Sequence, residues 1–204
     1  MTDHLRPEAG LFSRSSLSSY ESEVARLLIP DASWRLLLVS LPSFAPEEAV
    51  YLRDKGLGPQ VVATRMETKL WPILMGYTKG RTATQDGPAV EVARAPIAMP
   101  LLEQLSQLWV AALLRTRFPR RPDLHLDGTT YHLGAHCRPF GILTGHTWSP
   151  PLPSLMAGLV DIGAKLTRYA RAPEEQRSSI ADALLQESTD LHRRFEAEDA
   201  FGGV

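Results

Sequence analysis

Residues 34–65 read WRLLLVSLPSFAPEEAVYLRDKGLGPQVVATR, and the fold class turns on this stretch. Trp34 to Leu41 is a short, nearly continuous apolar run bounded by Asp31 and Pro42, the pattern of a buried strand. Ala49 to Arg53 and Gln60 to Arg65 carry β-branched and aromatic residues on either side of Lys55-Gly56-Leu57-Gly58-Pro59, a punctuation that breaks regular structure. Three strands in succession predict an antiparallel meander. Leu70 to Tyr77 and Ala89 to Ala95 are expected to add two more, around a polar turn at Gln85-Asp86-Gly87-Pro88.

Outward from this meander the period changes. Tyr20, Val24, Leu27 and Leu28 recur at helical spacing before Pro30. Leu101, Leu105, Leu108, Ala112 and Leu113 mark an apolar stripe on a helix over 100–118, with Trp109 widening it. Asp127-Gly128 reads as a hairpin turn leading into strand 128–135, with its partner strand at 141–148. Leu155 to Ala170 and the segment 174–198 are predicted helices, the first with Leu159, Ile162 and Leu166 on one side. Strands and helices without strict βαβ alternation indicate α+β: an antiparallel sheet, helices on one face and a C-terminal helical appendage. The chain divides into a mobile tail over 1–14, one α+β domain over 15–172, and a C-terminal helix with a frayed end over 173–204.

The formal net charge of −1 over 204 residues argues against a field that would draw nucleic acid or anionic lipid. A single Cys precludes an internal disulfide and any multi-cysteine zinc site. The first residues lack a basic region followed by an apolar run, and no stretch approaches membrane-spanning length, so a cytoplasmic location is expected. The basic residues are 18 Arg and 4 Lys, scattered along the chain, and the simplest source is codon bias.

Four of the six histidines fall between His125 and His146, together with Asp127 and Cys137. Zinc needs three or four ligands converging at ~2.0–2.3 Å. On a strand, His132 and His136 share a face but stand ~13 Å apart, at ~3.3 Å per residue. His132 can meet His146 across a hairpin, in a register that the residues alone leave open. Cys137 and His136 are adjacent on a strand and point to opposite faces, so they do not form a nucleophilic dyad. Glu47-Glu48 reads as a solvated carboxylate pair. Arg115, Arg117, Arg120 and Arg121, with Phe118, form a basic cluster best suited to offsetting a helix C-terminus. The four Trp are expected to be packing residues. No catalytic set, metal site or cofactor emerges.

Asp127-Gly128-Thr129-Thr130-Tyr131 and Gly145-His146-Thr147-Trp148-Ser149-Pro150 resemble a DGTxY…GxTWSP pattern found in small uncharacterised bacterial proteins. The resemblance covers mainly residues 100–170 and implies a shared strand pair before a helix, with no activity attached. This chain departs from that pattern in lacking an export signal and in carrying a helix after Pro173.

The function expected by elimination is that of a non-catalytic, cytoplasmic protein-binding protein, in concrete form an immunity or inhibitor protein neutralising a bacterial toxin. Its partner-binding residues would be His132, His136, Arg138, Phe140 and His146, because aromatic and Arg side chains anchor interfaces. A hydrolase using the His132/His136/His146 region, with zinc, is the alternative from another class. A structural or assembly subunit that binds a complex, or itself, through the 174–198 helix is the third.

Overall fold

A computed structural model describes residues 4–8, 11, 19–31, 33–54, 56, 58–75, 88–119 and 127–201. Seven strands form one sheet: β1 (Arg6–Pro7), β2 (Trp34–Pro42), β3 (Glu48–Arg53), β4 (Gln60–Met66), β5 (Val90–Pro96), β6 (Thr129–Cys137) and β7 (Gly141–Trp148). Their order is β1-β7-β6-β2-β3-β4-β5, and every neighbouring pair is antiparallel. The five helices are α1 (Ser19–Leu28), α2 (Leu70–Leu74), α3 (Met99–Leu113), α4 (Leu155–Arg171) and α5 (Glu174–Phe201). This is the α+β fold that residues 34–65 imply.

The near-continuous apolar run of β2 has a direct cause. Leu36 and Leu38 point to one face of the sheet, with Val50, Leu52, Val61, Ala63, Leu133 and Ala135, and meet α3 and α4. Leu37 and Val39 point to the other, with Ala49, Tyr51 and Val62, and meet Val24 and Leu28 of α1 and Leu70 of α2. Over Leu36–Val39 the strand is covered on both faces, which leaves no position there for a polar residue to reach water. Thr64 is buried on the α1 side, where its hydroxyl donates to the Leu28 carbonyl at 2.8 Å and fixes the end of that helix. Gly163 lets α4 approach β2, since a Cβ there would lie 2.3 Å from Leu38 Cδ2.

The C-terminal helix α5 forms a layer outside α3 and α4, burying Leu184, Leu191 and Phe195 in the same core. Arg115 helps to hold it, with its guanidinium 5.3 Å from the centre of the Phe195 ring and donating to the Phe195 carbonyl at 3.1 Å. That residue of the basic cluster therefore braces two helices. Arg120 and Arg121 lie outside the described residues, as do His125 and Gln85-Asp86-Gly87. None of the described helices is long and apolar enough to cross a membrane.

Several expectations need correction. The early residues read as a mobile tail contribute the edge strand β1, where Arg6 pairs with His146 and Pro7 with Gly145. Leu5 beside it is fully buried, which no periodicity announces in so short a segment. Of the expected strand at 70–77, Leu70–Leu74 form the helix α2 instead, its first N–H, that of Leu70, donating to the Glu47 carboxylate at 2.9 Å, while Gly76 and Tyr77 lie outside the described residues. Glu47, read as solvated, is fully buried.

Asp127-Gly128 is not the turn of the β6–β7 hairpin, which lies between Cys137 and Gly141 at its opposite end. Gly128 instead opens β6 and is clasped by two other segments. Its carbonyl accepts from the Ser43 N–H at 2.8 Å, and its own N–H donates to Ser43 Oγ at 3.1 Å. Thr129 and Ser149 exchange a similar pair: Ser149 N–H donates to the Thr129 carbonyl and Ser149 Oγ accepts from Thr129 N–H, both at 2.9 Å. The Trp148 indole covers Gly128 so closely that a Cβ would stand 2.4 Å from its Cζ2. The two motifs thus meet as one structural clasp. Gly128→Ala is expected to cost ~1–3 kcal/mol as an overpacked contact, and an unchanged denaturation midpoint would show that Trp148 does not seat on Gly128.

Candidate functional site

The candidate site lies on the α1 side of the sheet, over β6 and β7. Alternation puts Thr130, His132 and His136 of β6 on that side, and the register places His146 directly opposite His132. The hairpin register, open at the level of sequence, is therefore the one that joins these two rings, with centroids 6.0 Å apart. Around them is an open cleft of about 680 Å³, walled by Tyr20 and Glu21 of α1, Phe44 of the β2–β3 loop, and Lys69 and Trp71 at the start of α2. Glu8, Asp127, Thr130, His132 and His146 also line it, with Leu41, Pro42 and Ser43 at the end of β2.

Glu8 is the floor's organiser. One carboxylate oxygen stands 2.7 Å from His132 Nδ1 and the other accepts from the Leu11 N–H at 3.1 Å. Both side chains of the pair are nearly buried, at 2% and 8% exposure. The pair ties the segment after β1 across β7 to β6, so a two-residue edge strand is held by more than its own ladder. A carboxylate fixing one imidazole nitrogen is also how general bases are oriented. Here both Glu8 oxygens are engaged by the fold itself.

His146 differs from its neighbour. It hydrogen-bonds to the backbone of Pro7, which has no N–H, so the ring donates and the carbonyl accepts. Its Nδ1 is buried without a hydrogen-bond partner. Burial, the largest cause, pulls its pKa below the usual histidine value. Glu8 and the Pro7 bond oppose that shift, while His132 and Arg6 reinforce it. The unfolded chain then binds the proton more readily than the folded one. Stability should be complete above pH ~7 and decline as pH falls through ~6.5 toward the lowered folded value. Asp31, at about 2 through its bonds to Ser33 and Arg53, acts in a separate window below ~4. Between pH 7 and 5, His146→Gln should therefore flatten the dependence of urea midpoint on pH, and a slope equal to that of the wild type would refute this account.

The other three expected partner-binding residues are not at this cleft. His136 lies near the far end of β6, its ring 4.8 Å from that of Trp34. It lines a second groove of about 740 Å³ with Arg35, Asp54, Cys137, Arg138 and Pro139. Phe140 and Ile142 at that hairpin end are exposed. The five residues divide into two groups: His132 and His146 in the cleft, and His136, Arg138 and Phe140 at the hairpin end. His136 therefore stands apart from the facing pair His132 and His146. Among the described residues no group of three or more His, Cys, Asp or Glu is placed to hold a metal ion.

The sequence reading misses the cleft's mouth. Phe44 is 82% exposed, and Trp71, read as a packing residue, is 43% exposed. Trp71 sets its ring edge-on to Tyr20 at 5.2 Å, and Leu74 and Met75 continue its exposed face one helical turn on. Lys69 Nζ stands 5.8 Å from the Phe44 ring centre. Two signals were legible: an aromatic in the Pro-flanked loop Pro42-Ser43-Phe44-Ala45-Pro46, and Trp71 immediately before a proline. Compared with known proteins, the chain matches no family model, no curated protein and no solved structure.

Proposed function

We propose that this chain is a protein-binding protein whose partner docks on the mouth of the His132/His146 cleft. The observation that carries the reading is that exposed Phe44 and Trp71 both line one depression in the surface, with exposed Leu74 and Met75 following Trp71 on α2 and at its end. Contiguous exposed apolar side chains beside a polar depression are a recurring mark of interaction sites, and aromatic anchors dominate binding energy. His132 and His146, expected as partner-binding residues, supply the polar floor. In its most concrete form the reading is an immunity or inhibitor protein that masks a toxin, supported by the absence of a recognisable catalytic set in the sequence. The hairpin end with Arg138 and Phe140 is a second candidate surface.

The test is affinity capture from the source cell with the full chain and with Trp71→Ala, Phe44→Ala, Phe140→Ala and Arg138→Ala. Each alters an exposed side chain or one in the hairpin loop, and circular dichroism checks that the fold is kept. We expect one specific partner whose affinity falls ~30-fold or more with Trp71→Ala, the effect of losing a hot spot worth ~2 kcal/mol. Loss confined to Phe140→Ala and Arg138→Ala would move the interface to the hairpin end. Turnover of a small molecule that depends on His132, with no partner retained, would reject the proposal in favour of a hydrolase.

A further inference from the structure

We infer that the edge strand β5 pairs antiparallel with β5 of a second copy of this chain, about a two-fold axis through Val92. Among the described residues β5 has one neighbour, β4, and it ends the sheet at the edge opposite β1. This surface is therefore separate from the cleft over β6 and β7. The direction of its backbone groups is fixed by the ladder. Ile97 N–H donates to the Pro59 carbonyl at 3.0 Å, and the Ala89 carbonyl accepts from the Glu67 N–H at 3.1 Å. Both bonds continue the β4–β5 register as hydrogen-bonded pairs. Alternation then turns the N–H and C=O of Glu91, Ala93 and Ala95 inward to β4, and those of Val90, Val92 and Arg94 outward.

Two prolines bracket that outward row. Pro88 and Pro96 stand equally far from Val92 in sequence, and neither has an N–H. The Pro96 carbonyl is already engaged, accepting from the Tyr169 hydroxyl at 2.7 Å. The outward donors and acceptors are thus symmetric about Val92, and the same strand turned about a two-fold axis there complements them. Val92 meets Val92 of the second copy, and Val90 meets its Arg94, each pair exchanging N–H···O=C bonds. Slipping the strands by two residues sets Val90 opposite Pro96 or Arg94 opposite Pro88, where the missing N–H leaves a carbonyl unmatched. The register centred on Val92 is the one that uses the whole row.

The side chains agree with this register. Val92 lies opposite Thr64 on the α1 side of the sheet and is 45% exposed. Pairing sets it beside its own copy, an apolar cross-strand contact. Arg94 faces Val90 and Glu91 faces Ala93, so no like charges stand directly opposite, and Glu91 has Arg65 across from it on β4. An exposed strand edge is a template for another strand. A foreign strand would have to match this spacing of donors, whereas a second copy carries it already, and closed two-fold dimers are the commonest assemblies.

The test is sedimentation equilibrium of the full-length protein at concentrations up to ~1 mM, with amide hydrogen exchange followed by NMR. Reversible dimerisation with a Kd of ~10–500 μM is expected, as a short ladder implies. The amides of Val90, Val92 and Arg94 should slow together as the dimer fills. Val92→Pro removes the central outward N–H while the inward bonds of Glu91 and Ala93 stay, a place where an edge strand accepts proline. Val92→Lys sets like charges at the two-fold axis. Both should keep the wild-type circular dichroism and weaken dimerisation ~30-fold or more, whereas Val92→Thr should leave it within ~3-fold. If Val92→Pro loses the native circular dichroism, Val92→Lys decides alone. A wild type monomeric at ~1 mM, a dimer that survives Val92→Lys, or equal protection of those amides in the monomer would each overturn the inference.

Discussion

Replacing Trp109 with alanine should lower the free energy of unfolding by about 3–5 kcal/mol, the usual cost of deleting a fully buried aromatic. Trp109 has no exposed surface, and it projects from α3 into the layer between that helix and the sheet. Its indole N–H also donates to the Leu37 carbonyl at 3.2 Å, a bond that joins α3 to the central strand. Truncation would leave a cavity lined by leucines that cannot all collapse into it. A loss of this size is a large share of the ~5–15 kcal/mol that holds a domain together, and should drop the melting temperature by ~6–20 °C. Trp109→Phe fills most of the space and forfeits the hydrogen bond, so it should cost less, and Leu105→Ala should fall between ~2 and 5 kcal/mol. A Trp109→Ala midpoint shifted by less than ~1 kcal/mol would mean that α3 does not pack on the sheet through this residue.

The contrast between what residues 34–65 disclosed and what they concealed has a physical basis. Burial on both faces of β2 writes itself into consecutive residues, and the stripe of α3 writes itself into a 3.6-residue period. Such signals are local, so the strands at 34–41, 49–53, 60–65, 128–135 and 141–148 and the helices α3, α4 and α5 were legible. Leu5 and Glu8 are buried by partners more than a hundred positions away, on β6 and β7 and after α3, and nothing nearby in sequence marks them. Glu47 is the sharper case. A carboxylate in a Pro-Glu-Glu loop reads as solvated, and it is buried only because Tyr20 and Leu70, 27 and 23 residues distant, both donate to it. The candidate site follows the same division. His132 and His146 could be named from their strands, whereas the walls that make a cleft of them come from α1, α2 and the β2–β3 loop, whose meeting is a long-range event.

That dependence makes Glu47 the residue through which the cleft can be dismantled without touching its lining. One carboxylate oxygen accepts from the Tyr20 hydroxyl at 2.8 Å and the other from the Leu70 N–H at 2.9 Å, so a single fully buried side chain ties α1 to α2. The Tyr20 phenol is kept protonated far above its ordinary range, first by burial and then by the negative charge of Glu47, so it remains a donor. Glu47→Ala removes both acceptors at once. Each stranded donor costs ~1–3 kcal/mol, giving an expected loss of ~2–5 kcal/mol. Glu47→Gln keeps one acceptor oxygen and sheds the cost of holding a charge out of water, so its loss should be smaller. The two variants together separate the bonds from the charge. In Glu47→Ala the Tyr20–Trp71 contact should loosen, visible as faster hydrogen exchange at Leu70 and as a broadened Trp71 indole signal, and partner capture through Trp71 should weaken in step. A Glu47→Ala protein as stable as the wild type within ~0.5 kcal/mol, with Trp71 undisturbed, would show that α1 and α2 are joined by their apolar contacts alone.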